Sequence, residues 1–100
     1  MMLSMHDWTL LSVEVEWATG RVQVRLTSPA GPVAIDASGL LDLHLPRVQN
    51  WGRSVTIYSV DGPTLREDEL SHLAIEMQSG DVIEIVARSF KMPDGHQPHP

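Results

Sequence analysis

One hundred residues, 42% of them hydrophobic, make a single domain able to bury about 65% of its unfolded surface on folding. The absence of cysteine excludes disulfides, thiolate zinc sites and a cysteine nucleophile. A formal net charge of −6 repels phosphate backbones, which sets nucleic acid aside as a partner and suits a basic protein surface.

No run of about 18 apolar residues occurs, as a membrane span would need. The first twenty residues hold no Lys or Arg, and Asp7, Glu14 and Glu16 interrupt them, unlike a signal peptide. A cytoplasmic protein with no membrane contact is the expectation.

Residues 8–17 and 21–28 read as a β-hairpin. Val13, Val15 and Trp17 alternate with Glu14 and Glu16, and Val22, Val24 and Leu26 alternate with Gln23 and Arg25. A two-residue turn at Thr19-Gly20, with Gly20 at positive φ, pairs Trp17 with Val22, Val15 with Val24 and Val13 with Leu26. It also sets Glu14 opposite Arg25 on the outer face. Ser28-Pro29-Ala30-Gly31-Pro32 predicts a turn, followed by a short strand over 33–37 and a break at Ser38-Gly39. Leu41, Leu43 and Leu45 then alternate with Asp42 and His44 until Pro46 ends the strand.

After a loop over 46–53 comes a strand rich in β-branched and aromatic residues. Val55, Ile57 and Ser59 face one side, and Thr56, Tyr58 and Val60 the other. Neither side is charged, which predicts an interior strand covered on both faces and stopped by Asp61-Gly62-Pro63.

Two patterns compete over residues 64–78. Thr64 with Glu67 matches a capping box, and Leu70, Leu73, Ala74 and Met77 match a helical stripe. Against this, Leu73, Ile75 and Met77 alternate, Ile83, Ile85 and Ala87 answer them, and Ile75 has no place on the stripe. The reading is one helical turn near 65–70, then a hairpin around Gln78-Ser79-Gly80 with Gly80 left-handed. That loop pairs Ile75 with Ile83 and Leu73 with Ile85. The whole is an all-β domain over 1–92 of about seven antiparallel strands, closing as a small partly open barrel or two-sheet sandwich. Residues 93–100 carry three prolines and no apolar period, as a disordered tail would.

Few side chains suggest chemistry. His6-Asp7 with His44 and Asp42 could hold a metal or move a proton, but their spacing fits no zinc pattern. Tail residues His96 and His99 lack preorganisation, so neither a metal nor a cofactor is expected. Glu76, Glu84 and His72 fall on one face of the second hairpin, as the solvated side of an amphipathic sheet would place them. Ser71-His72 lacks the remainder of a triad, and the scattered glycines form no phosphate loop, so no enzyme activity is expected. Glu67-Asp68-Glu69 reads as a solvated loop. Arg47, Trp51 and Arg53 are the candidate partner-binding residues, since an arginine–aromatic loop has the composition of an interface hot spot. The alternative is that Trp51 caps the core while both arginines remain solvated.

His6-Asp7-Trp8 entering a first strand, Trp51-Gly52 with Ser54, and Ile75-Glu76-Met77-Gln78-Ser79-Gly80-Asp81 near the end form an ordered set. Over residues 6 to about 90 this pattern resembles small uncharacterised bacterial domains similar to the immunity proteins of polymorphic toxin systems. The resemblance implies a cytoplasmic bacterial protein that binds another protein, and it carries over no catalytic residue. Two classes of function follow. One is a protein-binding module that sets an acidic surface against a basic partner, such as a toxin it occludes. The other is a small-ligand-binding or enzymatic β-barrel with an internal polar pocket, which inward-facing Glu, Asp or His would mark.

Removing residues 94–100 is expected to leave stability within about 1 kcal/mol of the full chain, because they offer no apolar surface to offset ordering. Thermal unfolding of the truncated and full-length proteins measures the difference.

Overall fold

The computed structural model describes residues 5–47 and 55–93. Six strands form one antiparallel sheet: β1 (Thr9–Glu16), β2 (Arg21–Ser28), β3 (Gly31–His44), β4 (Ile57–Leu65), β5 (Ser71–Met77) and β6 (Val82–Lys91). Their spatial order is β1-β2-β3-β6-β5-β4, so the connection from β3 to β4 makes β3, β6, β5 and β4 a Greek key. No helix is present among the described residues, and hence none long and apolar enough to cross a membrane.

Period-two alternation decides which residues go inside. On β2 every second residue is buried, which sends Val22, Val24 and Leu26 inward. Leu73, Ile75 and Met77 from β5 meet Ile83, Ile85 and Ala87 from β6, and Ile35 and Ala37 come from β3. Each fully buried Leu, Ile or Val side chain contributes about 1.5–3 kcal/mol of transfer free energy.

The curled sheet almost closes on itself. Its two outermost strands meet where Thr9 bridges Thr56. The Asp7 N–H donates to the Ile57 carbonyl at 2.8 Å, the Ile57 N–H to the Trp8 carbonyl at 2.8 Å, and the Leu10 N–H to the Val55 carbonyl at 2.7 Å. Met5, Trp8 and Ile57 are buried beneath this seam. The result is a barrel joined at one end, in agreement with the partly open barrel expected from the sequence.

Six strands replace the expected seven because residues 31–44 run as one strand. Its first half pairs with β2 and its second half with β6. Gly39, at φ +68°, lets the chain bend without leaving the sheet, and the Arg88 side chain fills the space where a Cβ would lie. A bulge follows between Leu40 and Asp42. It turns Leu41 out to 55% exposure, so only Leu43 of the three expected leucines packs on the core, while Leu45 is also exposed.

Other details differ from expectation. The first hairpin pairs Val15 with Val22 and Val13 with Val24, a shift of two residues. The shift keeps the parity, so the same faces stay inside. Its turn takes four residues, 17–20, closed by the Gly20 N–H on the Glu16 carbonyl at 3.0 Å. Trp17 therefore leaves the strand and is 87% exposed. Glu14 faces Gln23 and reaches Arg25 diagonally, at 3.6 Å. The supposed interior strand is β4, at the edge of the sheet, where Val55 and Tyr58 are exposed and only Ile57 is fully buried. Asp61-Gly62-Pro63 does not stop it; a bulge between Asp61 and Thr64 absorbs the irregularity and the strand continues to Leu65.

Residues 66–70 form a hairpin loop instead of a helical turn. The Arg66 N–H bonds the Leu70 carbonyl at 2.6 Å, and the Asp68 carboxylate accepts the Leu70 N–H at 3.2 Å. The second hairpin has the expected register, Leu73 with Ile85 and Ile75 with Ile83, and Gly80 is left-handed at φ +98°. Met92 packs against the core and Pro93 is buried; residues 94–100 lie outside the described residues.

Gly62 sits at φ +101°, and a Cβ there would lie 2.6 Å from the His72 carbonyl oxygen. Gly62→Ala is therefore expected to cost about 1–3 kcal/mol or more, as backbone strain and a backbone clash add. Denaturant unfolding gives the figure, and a loss below about 0.5 kcal/mol would contradict the close approach.

Candidate interaction surface

Arg47 follows β3 and is exposed. It stands at a cleft of about 250 Å³ lined by Leu10, Val13, Leu45, Val55 and Ile83, with Asp81 at its polar side. Asp81 is only 8% exposed, yet its position follows from the β5–β6 turn. Its carbonyl accepts the Met77 N–H at 2.8 Å, and its carboxylate accepts the Ser79 hydroxyl at 3.0 Å. Trp51 and Arg53 lie outside the described residues, so of the three expected partner-binding residues only Arg47 can be placed.

His6 and Asp7 belong to the seam. The His6 Nδ1–H donates to the Tyr58 carbonyl at 2.8 Å, its ring meets the Tyr58 ring edge-on, and its Nε2 lies 3.5 Å from Asp7. Asp7 in turn accepts from the Gln78 amide at 2.5 Å. Neither residue meets His44 in these interactions.

His44 is instead drawn to the second hairpin. Cross-strand neighbours share a face, and the registers of β3, β6, β5 and β4 define three rungs on the outside of the barrel. The first holds Ser59, Glu76 and Val82. The second holds Asp61, Ala74, Glu84 and His44, and the third Thr64, His72, Val86 and Asp42. Four carboxylates and two imidazoles occupy these rungs with no Lys or Arg among them. At their centre the Glu84 carboxylate lies 3.2 Å from His72 Nε2 and 3.8 Å from His44 Nδ1.

Glu76, Glu84 and His72 share the outer face, as their alternation predicts. Asp42 and His44 join them through the β3–β6 pairing, which no local sequence signal states. Asp61, beside Gly62 and Pro63, has the sequence signature of a strand breaker, which hides its place on this face. His44 and His72 sit two strands and one rung apart, and no metal-holding group of three ligands occurs among the described residues.

No family model matches the chain, and no match was found among curated proteins or solved structures.

The Glu84 contacts are exposed, so their contribution to stability is small. Glu84→Gln is expected to change unfolding free energy by less than about 1 kcal/mol, whereas Leu73→Ala on the opposite face should cost about 2–5 kcal/mol. Paired urea titrations of the two variants separate surface from core.

Proposed function

We propose that this protein is a cytoplasmic module that binds a basic protein, with the outer face of β3, β6, β5 and β4 as the main contact. The observation that carries this reading is the run of three rungs holding Asp42, Asp61, Glu76 and Glu84, with no Lys or Arg within the rungs themselves. Like charges gathered on a rigid sheet cost folding energy through mutual repulsion and speed the approach of an opposite surface. In line with the resemblance to immunity proteins, occlusion of a basic toxin is the specific form of this role. Arg47, Trp51 and Arg53 remain the loop residues proposed to add directional hydrogen bonds and apolar area to partner binding.

An internal polar pocket receives less support. The inward positions on the strands are almost all apolar; Ser28, the buried polar residue of β2, bonds the Gly31 carbonyl, and Asp81, the buried carboxylate among the described residues, is engaged in a turn. An interior lined mainly by apolar side chains favours the outer surface as the place for recognition.

Immobilised protein should retain a basic partner from its native host, and the association rate should fall as salt is added. Replacing three carboxylates together, Asp42→Asn, Glu76→Gln and Glu84→Gln, is expected to slow association roughly tenfold while leaving the fold intact. Undiminished capture by that variant would refute the acidic-face contact. A small molecule co-purifying in stoichiometric amount, with no protein retained, would favour the ligand-binding class instead.

A further inference from the structure

We infer that residues 5–8 form a latch that opens and recloses while the rest of the barrel stays folded, with Thr9 as its hinge. Such a latch is a property of the barrel itself and holds with or without the binding role proposed above.

These four residues belong to no strand. The Asp7 N–H donates to the Ile57 carbonyl and the Ile57 N–H to the Trp8 carbonyl, each at 2.8 Å, while the His6 Nδ1–H donates to the Tyr58 carbonyl. The Gln78 amide reaches the Asp7 carboxylate beside the same junction. A further bond, from the Trp8 N–H to the Met5 carbonyl at 3.0 Å, lies within the segment and can survive its release. By contrast, β2, β3, β6 and β5 each have a strand on both sides.

Two opposing effects set how firmly the latch is shut. Burial of Met5 and Trp8, at 2% and 5% exposure, favours closure. Asp7 works against it, because its φ of +69° lies in the left-handed region, and release lets it return to an ordinary conformation. Beyond the hinge, the bridge from Thr9 to Thr56 and the bond from Leu10 to Val55 remain, as does the pairing of β1 with β2. Local opening of this kind costs less than global unfolding, since most of the core stays in place. It uncovers Ile57, which is otherwise fully buried, and gives the interior a reversible opening next to the seam.

Amide hydrogen exchange of the full chain is the test. After correction for intrinsic rates, the Asp7 and Ile57 amides, whose bonds cross the latch, should be protected roughly tenfold less than those of Val24 and Ile75, which lie on strands paired on both sides. The Leu10 amide, beyond the hinge, should keep more protection than Asp7 and Ile57. Low concentrations of urea should speed exchange steeply at Val24 and Ile75 and only weakly at Asp7 and Ile57, because opening the latch exposes little surface. A small cut in the core gives a second readout. Ile85→Val, opposite Leu43 and Leu73, should lower protection at Val24 and Ile75 roughly three- to tenfold and leave Asp7 and Ile57 as in the wild type, since its contacts persist in the open state. Equal protection at all these amides would mean that the segment leaves only with the whole barrel, and would overturn the inference. So would a parallel fall at Asp7 and Ile57 in Ile85→Val. Protection as weak at Leu10 as at Asp7 would overturn the hinge at Thr9.

Discussion

The barrel depends on the seam between its two outermost strands. Antiparallel pairing from β1 through to β4 produces a curled ribbon with one apolar face, and such a ribbon must cover that face or expose it. Ile57 holds both sides of the junction, its N–H donating to the Trp8 carbonyl and its carbonyl accepting from the Asp7 N–H, and the Leu10 N–H adds a bond to the Val55 carbonyl. Trp8 and Met5 join the core cluster at this junction, and Ile57 has no exposure at all. Without this junction, residues on opposite sides of the core, such as Val24 and Ile75, would have no common interior to share.

Placement of the acidic face follows from a second constraint, the change of partners along β3. A single strand of fourteen residues serves two neighbours, β2 early and β6 late. The bend at Gly39 and the bulge after Leu40 permit the exchange, and they determine that Asp42 and His44 look outward next to Val86 and Glu84. Charges remote in sequence thereby become cross-strand neighbours. Repulsion among them is tolerable because the face is wet and the core beneath it is complete.

Local signals were legible where pattern and turn chemistry acted within a few residues of each other. In the second hairpin, Leu73, Ile75, Ile83 and Ile85 and a left-handed Gly80 all demanded one register, and the structure has it. The first hairpin retained its parity but slid by two residues. Trp17 looks like a core residue by type, yet it falls in the turn that closes the hairpin and is 87% exposed, and Val15 at the end of the strand is itself 44% exposed. Tyr58 and Val55 misled similarly, since aromatic and β-branched residues favour strands whether or not both faces are buried. Which strand lies beside which is a long-range property, so the company of His44, Glu84 and His72 could not be read from spacing. Arg47 was legible as an exposed loop residue, but its cleft is assembled from β1, β5, β6 and the segments flanking β3 and β4.

The irregular course of β4 has a further consequence for how the molecule meets copies of itself. Past the seam, no described strand pairs with its outer side. A straight, uninterrupted edge there would recruit another β-strand and start a growing stack. Instead the register breaks after Ile57 and again after Asp61, and Pro63 has no N–H to offer. An incoming strand meets a ladder with displaced and missing rungs, so propagation is discouraged at the same residues that first looked like the end of the strand.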